Sequence, residues 1–265
     1  MPIALITGAS AGLGAEFARQ LAGRGYDLVL VAREVVRLDA LAAELSIAHG
    51  VSARALPADL LTPDGLARVE ARLSSAEDPV DYLVNNAGYG LPREFDENSA
   101  DQETRQLELL ATVPLRLSHA ALSQMLPRRS GTVLTVASVA GFAGLGSYAA
   151  AKSWALTFSR WANPYYRTAG VTFTALAPGF VRTEFHERMG IPRESMAPRF
   201  AWLDAATVVR LALRDAARGK AVSIPTLRYR LVIGALPLLR PIVRAGVARR
   251  GTDARREARQ DPDAL

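Results

Sequence analysis

Tyr148 and Lys152 stand four residues apart in Tyr148-Ala149-Ala150-Ala151-Lys152, so on a helix they share one face. A phenol has a reference pKa of about 10, too high for efficient proton transfer near neutrality. A nearby ammonium favours the phenolate and lowers that value. The pair is therefore suited to exchanging a proton with an oxygen, although the spacing alone is common on helices. Ser138, ten positions before Tyr148, ends an apolar run and offers a hydroxyl to hold that oxygen; its bland reading is a turn residue. A second constellation is Thr7-Gly8-Ala9-Ser10-Ala11-Gly12-Leu13-Gly14. Its glycines permit a tight turn and a close approach of backbone to a pyrophosphate. The free N–H groups of a helix starting there favour the anion.

These residues need elements to position them. Ile3–Thr7, Asp27–Ala32, Val51–Leu56, Val80–Val84, Thr132–Ala137, Val171–Ala177 and Ala221–Ile224 read as strands. Between them, Leu13–Arg24, Val35–His49, the stretch after Pro63, Ala100–Met125 with a break near Pro114, Tyr148–Thr168 and Ala205–Ala217 read as helices. The rhythm predicts an α/β fold, a doubly wound parallel sheet with helices on both faces in a single domain. Ligands of such sheets bind beyond the carboxyl ends of the strands, where every motif here falls.

Thr7-Gly8-x-x-x-Gly12-x-Gly14 resembles the cofactor loop of the short-chain dehydrogenases/reductases. Asn85-Asn86-Ala87-Gly88, Tyr148-x-x-x-Lys152 and Pro178-Gly179-Phe180-Val181-Arg182-Thr183 resemble that family's further signatures, in the family's order. The resemblance implies a Rossmann-like domain over residues 1–225 that transfers a hydride between NADP(H) and a carbonyl or secondary alcohol. It implies that Gly8, Ser10, Gly12, Leu13 and Gly14 cradle the nucleotide and that Asp59-Leu60 lie along the adenine. Asn86-Ala87-Gly88 then pack the ribose, and Pro178, Gly179, Val181 and Thr183 lie at the nicotinamide carboxamide. Tyr148 exchanges the proton, Ser138 polarises the substrate oxygen, and Lys152 tunes Tyr148 and reaches the ribose hydroxyls. Arg33, where an NAD enzyme places an acid, suits the 2′-phosphate of NADP, with Ser10 as a further contact. A cation beside a helix N-terminus is otherwise mildly disfavoured.

Two departures bear on activity. The Ser138–Tyr148 loop is shorter than is usual in the family. Leu110 stands where many members carry an asparagine that holds a proton-relaying water. Either a backbone carbonyl suffices, the relay is rerouted, or activity is reduced. The alternative function is an NADP(H)-binding regulatory or scaffold protein with weak or no turnover.

Composition narrows the rest. The absence of cysteine excludes disulfides, thiolate metal sites and cysteine nucleophiles, and fits a cytoplasmic protein. His49, His119 and His186 have no metal-ligand spacing, so no metal is expected. The net charge of +6 has its source between Pro225 and Arg250, where six arginines meet no acid. That stretch, residues 226–250, reads as a basic apolar extension packing on the domain, on a partner or, through 227–250, on a membrane surface. Residues 251–265 read as a disordered tail, and the apolar residues of Glu184–Phe200 as a lid. A small-molecule substrate and a homo-oligomer are expected; nucleic acid is not.

Overall fold

Strands too apolar to face water on either side need helices above and below, and the chain supplies them in alternation. The computed structural model describes residues 1–187 and 197–236. Two compact units are present, Met1–Pro225 and Thr226–Leu265. In the first, strands β1 (Ile3–Thr7), β2 (Asp27–Ala32), β3 (Ala53–Pro57), β4 (Val80–Asn85), β5 (Gly131–Val136), β6 (Val171–Leu176) and β7 (Val222–Ser223) form one sheet. Their order is β3-β2-β1-β4-β5-β6-β7 and every pairing is parallel. The order reverses between β1 and β4, which places a switch point beside the glycine loop.

The helices are α1 (Gly12–Ala22), α2 (Val35–His49), α3 (Pro63–Ser74), α4 (Ala100–Leu107), α5 (Val113–Arg128), α6 (Ala140–Ala143), α7 (Gly146–Arg167), α8 (Glu184–Glu187) and α9 (Ala205–Ala217). Leu66, Val69 and Leu73 of α3 and Val113, Leu117 and Met125 of α5 bury against Leu5, Val29, Leu83 and Val133 of the sheet. Burying a side chain of this size contributes about 1.5–3 kcal/mol. Helix ends are fixed by side chains where the sequence provides them. Thr62 caps α3 ahead of Pro63, Ser99 and Gln102 form a reciprocal box on α4, and Asp204 caps α9. Asp215 closes the far edge: its carboxylate accepts from Lys220 Nζ at 2.8 Å and Ser223 Oγ at 2.9 Å. Burial alone would raise its pKa; those bonds and one from Arg214 outweigh it and hold the carboxyl below its usual range.

Most boundaries shift from the sequence reading by a residue or two, and two of the differences have a visible cause. The third strand starts at Ala53, because the Ser52 amide turns to the Asp27 carboxylate at 2.7 Å before the ladder begins. The long helix breaks at a π turn over Glu108–Thr112, ahead of Pro114. Pro114 sits in the first turn of α5, where a missing N–H costs little. In the second unit residues 227–236 are helical. The expected lid residues Met189, Ile191 and Met196, most of the 227–250 contact stretch, and the tail 251–265 lie outside the described residues.

Candidate active site

Three glycines bring the loops together. Gly8 (φ +65°) and Gly14 pack on the chain at Asn86: a Cβ on Gly14 would stand 2.0 Å from the Gly8 carbonyl oxygen and 2.6 Å from Asn86 Nδ2. Gly12 (φ +56°) lies against Thr183, whose Cβ is 3.2 Å from where its own Cβ would be. Asn86 fastens the arrangement by donating from Nδ2 to the carbonyls of Thr7 at 2.9 Å and Gly8 at 3.1 Å. Thr7 Oγ1 answers by accepting the amides of Asn86 at 2.9 Å and Ala87 at 3.0 Å. Thr7 was only the start of a motif in the sequence, yet it is the pivot between the two loops.

Helix α1 begins at Gly12 with no side-chain cap and no acid in its first turn. Its first amides are thus available to an anion, with Ser10 and Leu13 partly exposed beside them. Arg33 is exposed and lines a cavity of about 410 Å³ with Asp59, Thr62, Asp64 and Arg68. Arg37 is committed to Glu34 at 3.0 Å and Glu184 at 3.2 Å; Arg33 forms no ion pair among the described residues. Asp59 shapes the turn before α3, accepting the Leu61 amide at 3.0 Å. Leu60 is buried in the core and does not line the cavity.

Ser138 follows β5, and its Oγ accepts the Ala140 amide at 3.1 Å. The Val139 amide donates to the Pro178 carbonyl at 3.0 Å, tying this turn to the loop after β6. From Pro178-Gly179 the chain runs to Val181, held buried by a bridge to Leu203, and on to Thr183. The short loop before Tyr148 contains helix α6, and Gly141 lets it lie directly on Lys152 and Ser153. The Ser138 side chain lies near enough to the Tyr148 hydroxyl to draw the phenol's pKa down. Lys152, one turn on and buried, donates from Nζ to the Val136 carbonyl at 2.7 Å and lies 5.8 Å from the Tyr148 ring centre. Phe185, which the sequence did not single out, places its ring 6.4 Å from that of Tyr148.

Burial dominates the electrostatics of both groups: it pushes the Tyr148 phenol up to about 12, and Ser138 offsets only part of that. Burial also lowers the Lys152 ammonium to about 8. The Lys152 ammonium is turned to a backbone carbonyl on β5. The site therefore holds a protonated acid at Tyr148, with a hydroxyl donor beside it and a cation one turn away.

A family model described as short chain dehydrogenase matches residues 2–193. The chain belongs to this family. The 3-oxoacyl-(acyl-carrier-protein) reductase FabG of Escherichia coli (strain K12) is 31% identical over 185 residues, which span 69% of this chain and 74% of that protein. A short-chain dehydrogenase from Sphingobium yanoikuyae, solved in complex with NADPH, superposes with a TM-score of 0.82 at 37% identity, covering 90% of this chain and 95% of its own. The bulky-bulky ketone specific alcohol dehydrogenase from Comamonas testosteroni gives 0.77 at 33% identity, covering 90% and 93%. The protein is thus a short-chain dehydrogenase/reductase with the family's Rossmann-like sheet. Among the described residues no helix is long and apolar enough to cross a membrane, and no group of His, Asp or Glu is arranged to hold a metal.

Proposed function

We propose that this short-chain dehydrogenase transfers a hydride between NADP(H) and a hydrophobic carbonyl or secondary alcohol. The observation that carries the chemistry is the placing of Tyr148 near Ser138 and 5.8 Å from a buried Lys152, beyond the same sheet edge as the glycine loop. The residues fit a dinucleotide: α1 is uncapped, Gly14 leaves no side chain in the loop, and Arg33 has no acidic partner among the described residues. Gly8, Ser10, Gly12, Leu13 and Gly14 would hold the pyrophosphate and Arg33 the 2′-phosphate. Asp59 would face the adenine, Asn86, Ala87 and Gly88 the ribose, and Pro178, Gly179, Val181 and Thr183 the carboxamide. When bound, the nicotinamide supplies or accepts the hydride. Tyr148 gives its proton to the substrate oxygen, Ser138 Oγ holds that oxygen, and Lys152 keeps a positive charge behind the phenol.

NADPH in the Sphingobium yanoikuyae structure supports the cofactor assignment. Phe185 against Tyr148 and the exposed Leu145 at the start of α7 favour an apolar substrate. So does the ketone specificity of the Comamonas testosteroni enzyme. The intact proton-transfer residues lend no support to a binding protein without turnover. Arg33→Ala tests the cofactor reading in a binding titration. NADPH affinity is expected to fall about 10- to 100-fold, the worth of a charge-assisted hydrogen bond, with NADH affinity little changed. Equal effects on both nucleotides would refute the assignment.

A homo-oligomer is supported by Trp161 and Tyr165, stacked with ring centres 5.3 Å apart and both exposed on α7. Trp161→Glu should lower the sedimenting mass; a wild-type chain that sediments as a monomer would end this reading.

A further inference from the structure

Lys152 is an ammonium in a dry place. It is 6% exposed, and its one described hydrogen bond goes to the Val136 carbonyl at 2.7 Å. What stands opposite is Leu110, 2% exposed, in the π turn that packs on α7. A Cβ on Gly88 would fall 2.8 Å from Leu110 Cδ2 and 3.7 Å from Lys152 Nζ. The Leu110 methyl therefore fills the space that a side chain at position 88 would take, next to the charge. Around Nζ, the π turn presents Leu110, the loop after β4 Gly88 and the end of β5 the Val136 carbonyl. The titratable group facing it is Tyr148, from its own helix. No charged residue of the described chain offsets the desolvation.

We propose that Leu110 is a positioning residue: by excluding water from Lys152 it makes loss of the lysine's own proton the event that ends activity on the alkaline side. The π turn matters because its extra residue sets Leu110 against Gly88; π turns recur at functional sites. A polar side chain there would supply a hydrogen-bond partner and admit water, favouring the charged form. The catalytic consequence rests on the function proposed above, but the coupling between Leu110 and Lys152 does not.

Lys152 and Lys220 are the two lysines of the sequence, which makes a direct test practical. Lysine labelled with 13C at the ε-carbon gives two signals in the cofactor-free protein. A Lys220→Arg variant assigns them, and their titration is followed by NMR. In the wild type the Lys152 signal is expected to titrate near 8. In Leu110→Asn the midpoint should move up by about one pH unit or more, as for a buried amine regaining solvation. Leu110→Met, which keeps the site apolar, should leave it in place. The alkaline limb of kcat for NADPH-dependent ketone reduction should follow the same displacement. A wild-type midpoint at the ordinary lysine value, or one unmoved in a folded Leu110→Asn protein, overturns the proposal. Should Leu110→Asn fail to fold, Leu110→Ala opens the same space to water and is read in the same way. A shifted midpoint with no turnover under any condition would sustain the coupling and refute the functional reading instead.

Discussion

Tyr148→Phe is expected to lower kcat for ketone reduction by about 10²- to 10⁴-fold, the usual contribution of a positioned general acid, while NADPH binds as before. The reason is the separation of tasks in the site. In the proposed reaction Tyr148 carries the transferable proton, whereas the glycine loop, Asn86 and Arg33 form a different part of the cleft. A phenol raised to about 12 is almost wholly protonated at neutral pH, which suits the reductive direction. Ser138→Ala should cost less than Tyr148→Phe, because it removes one donor to the substrate oxygen and leaves the acid. Stopped-flow hydride transfer with NADPH and a bulky aryl ketone checks this. A Tyr148→Phe enzyme retaining more than half its activity would show that another group delivers the proton.

Gly14→Ala should be the most damaging small substitution in the glycine loop. The added carbon would lie 2.0 Å from the Gly8 carbonyl oxygen, so the backbone itself must move. Moving it breaks the two bonds from Asn86 to Thr7 and Gly8. Overpacking of this kind costs about 3 kcal/mol when rigid backbone is the obstacle. Misplacing two loop amides that would bond the pyrophosphate, at roughly 1.5 kcal/mol each, should weaken NADPH binding about 100-fold. Chemical denaturation and a nucleotide titration measure the two effects. Gly234→Ala, where the new methyl would meet nothing within 4 Å, is the matched control. A Gly14→Ala protein with wild-type stability and affinity would mean that the loop does not need this close approach.

The sheet was legible because its strands are short apolar runs, and the parallel order follows from the helices between them. Tyr148 and Lys152 stood out through their four-residue spacing, and Ser138 through its place at the end of a strand, ten positions earlier. The π turn was not, since helical periodicity does not mark one extra residue, and Pro114 drew attention to the wrong side of it. Spacing likewise shows that a lysine is near Tyr148, but not which acceptor its ammonium turns to. Arg37 meets Glu184 across 147 positions, a pairing no local pattern reveals. Phe185 carried no signal beyond its place two residues after Thr183.

The clamp between Thr7 and Asn86 has a consequence for association. Because each residue bonds the backbone of the other's loop, the cleft is ordered before any nucleotide arrives. The conformational entropy of the glycine loop is then lost once, at folding, instead of at each encounter. Capture should accordingly be a simple one-step process at the nucleotide end, with rates linear in concentration, and induced fit should be confined to the substrate side.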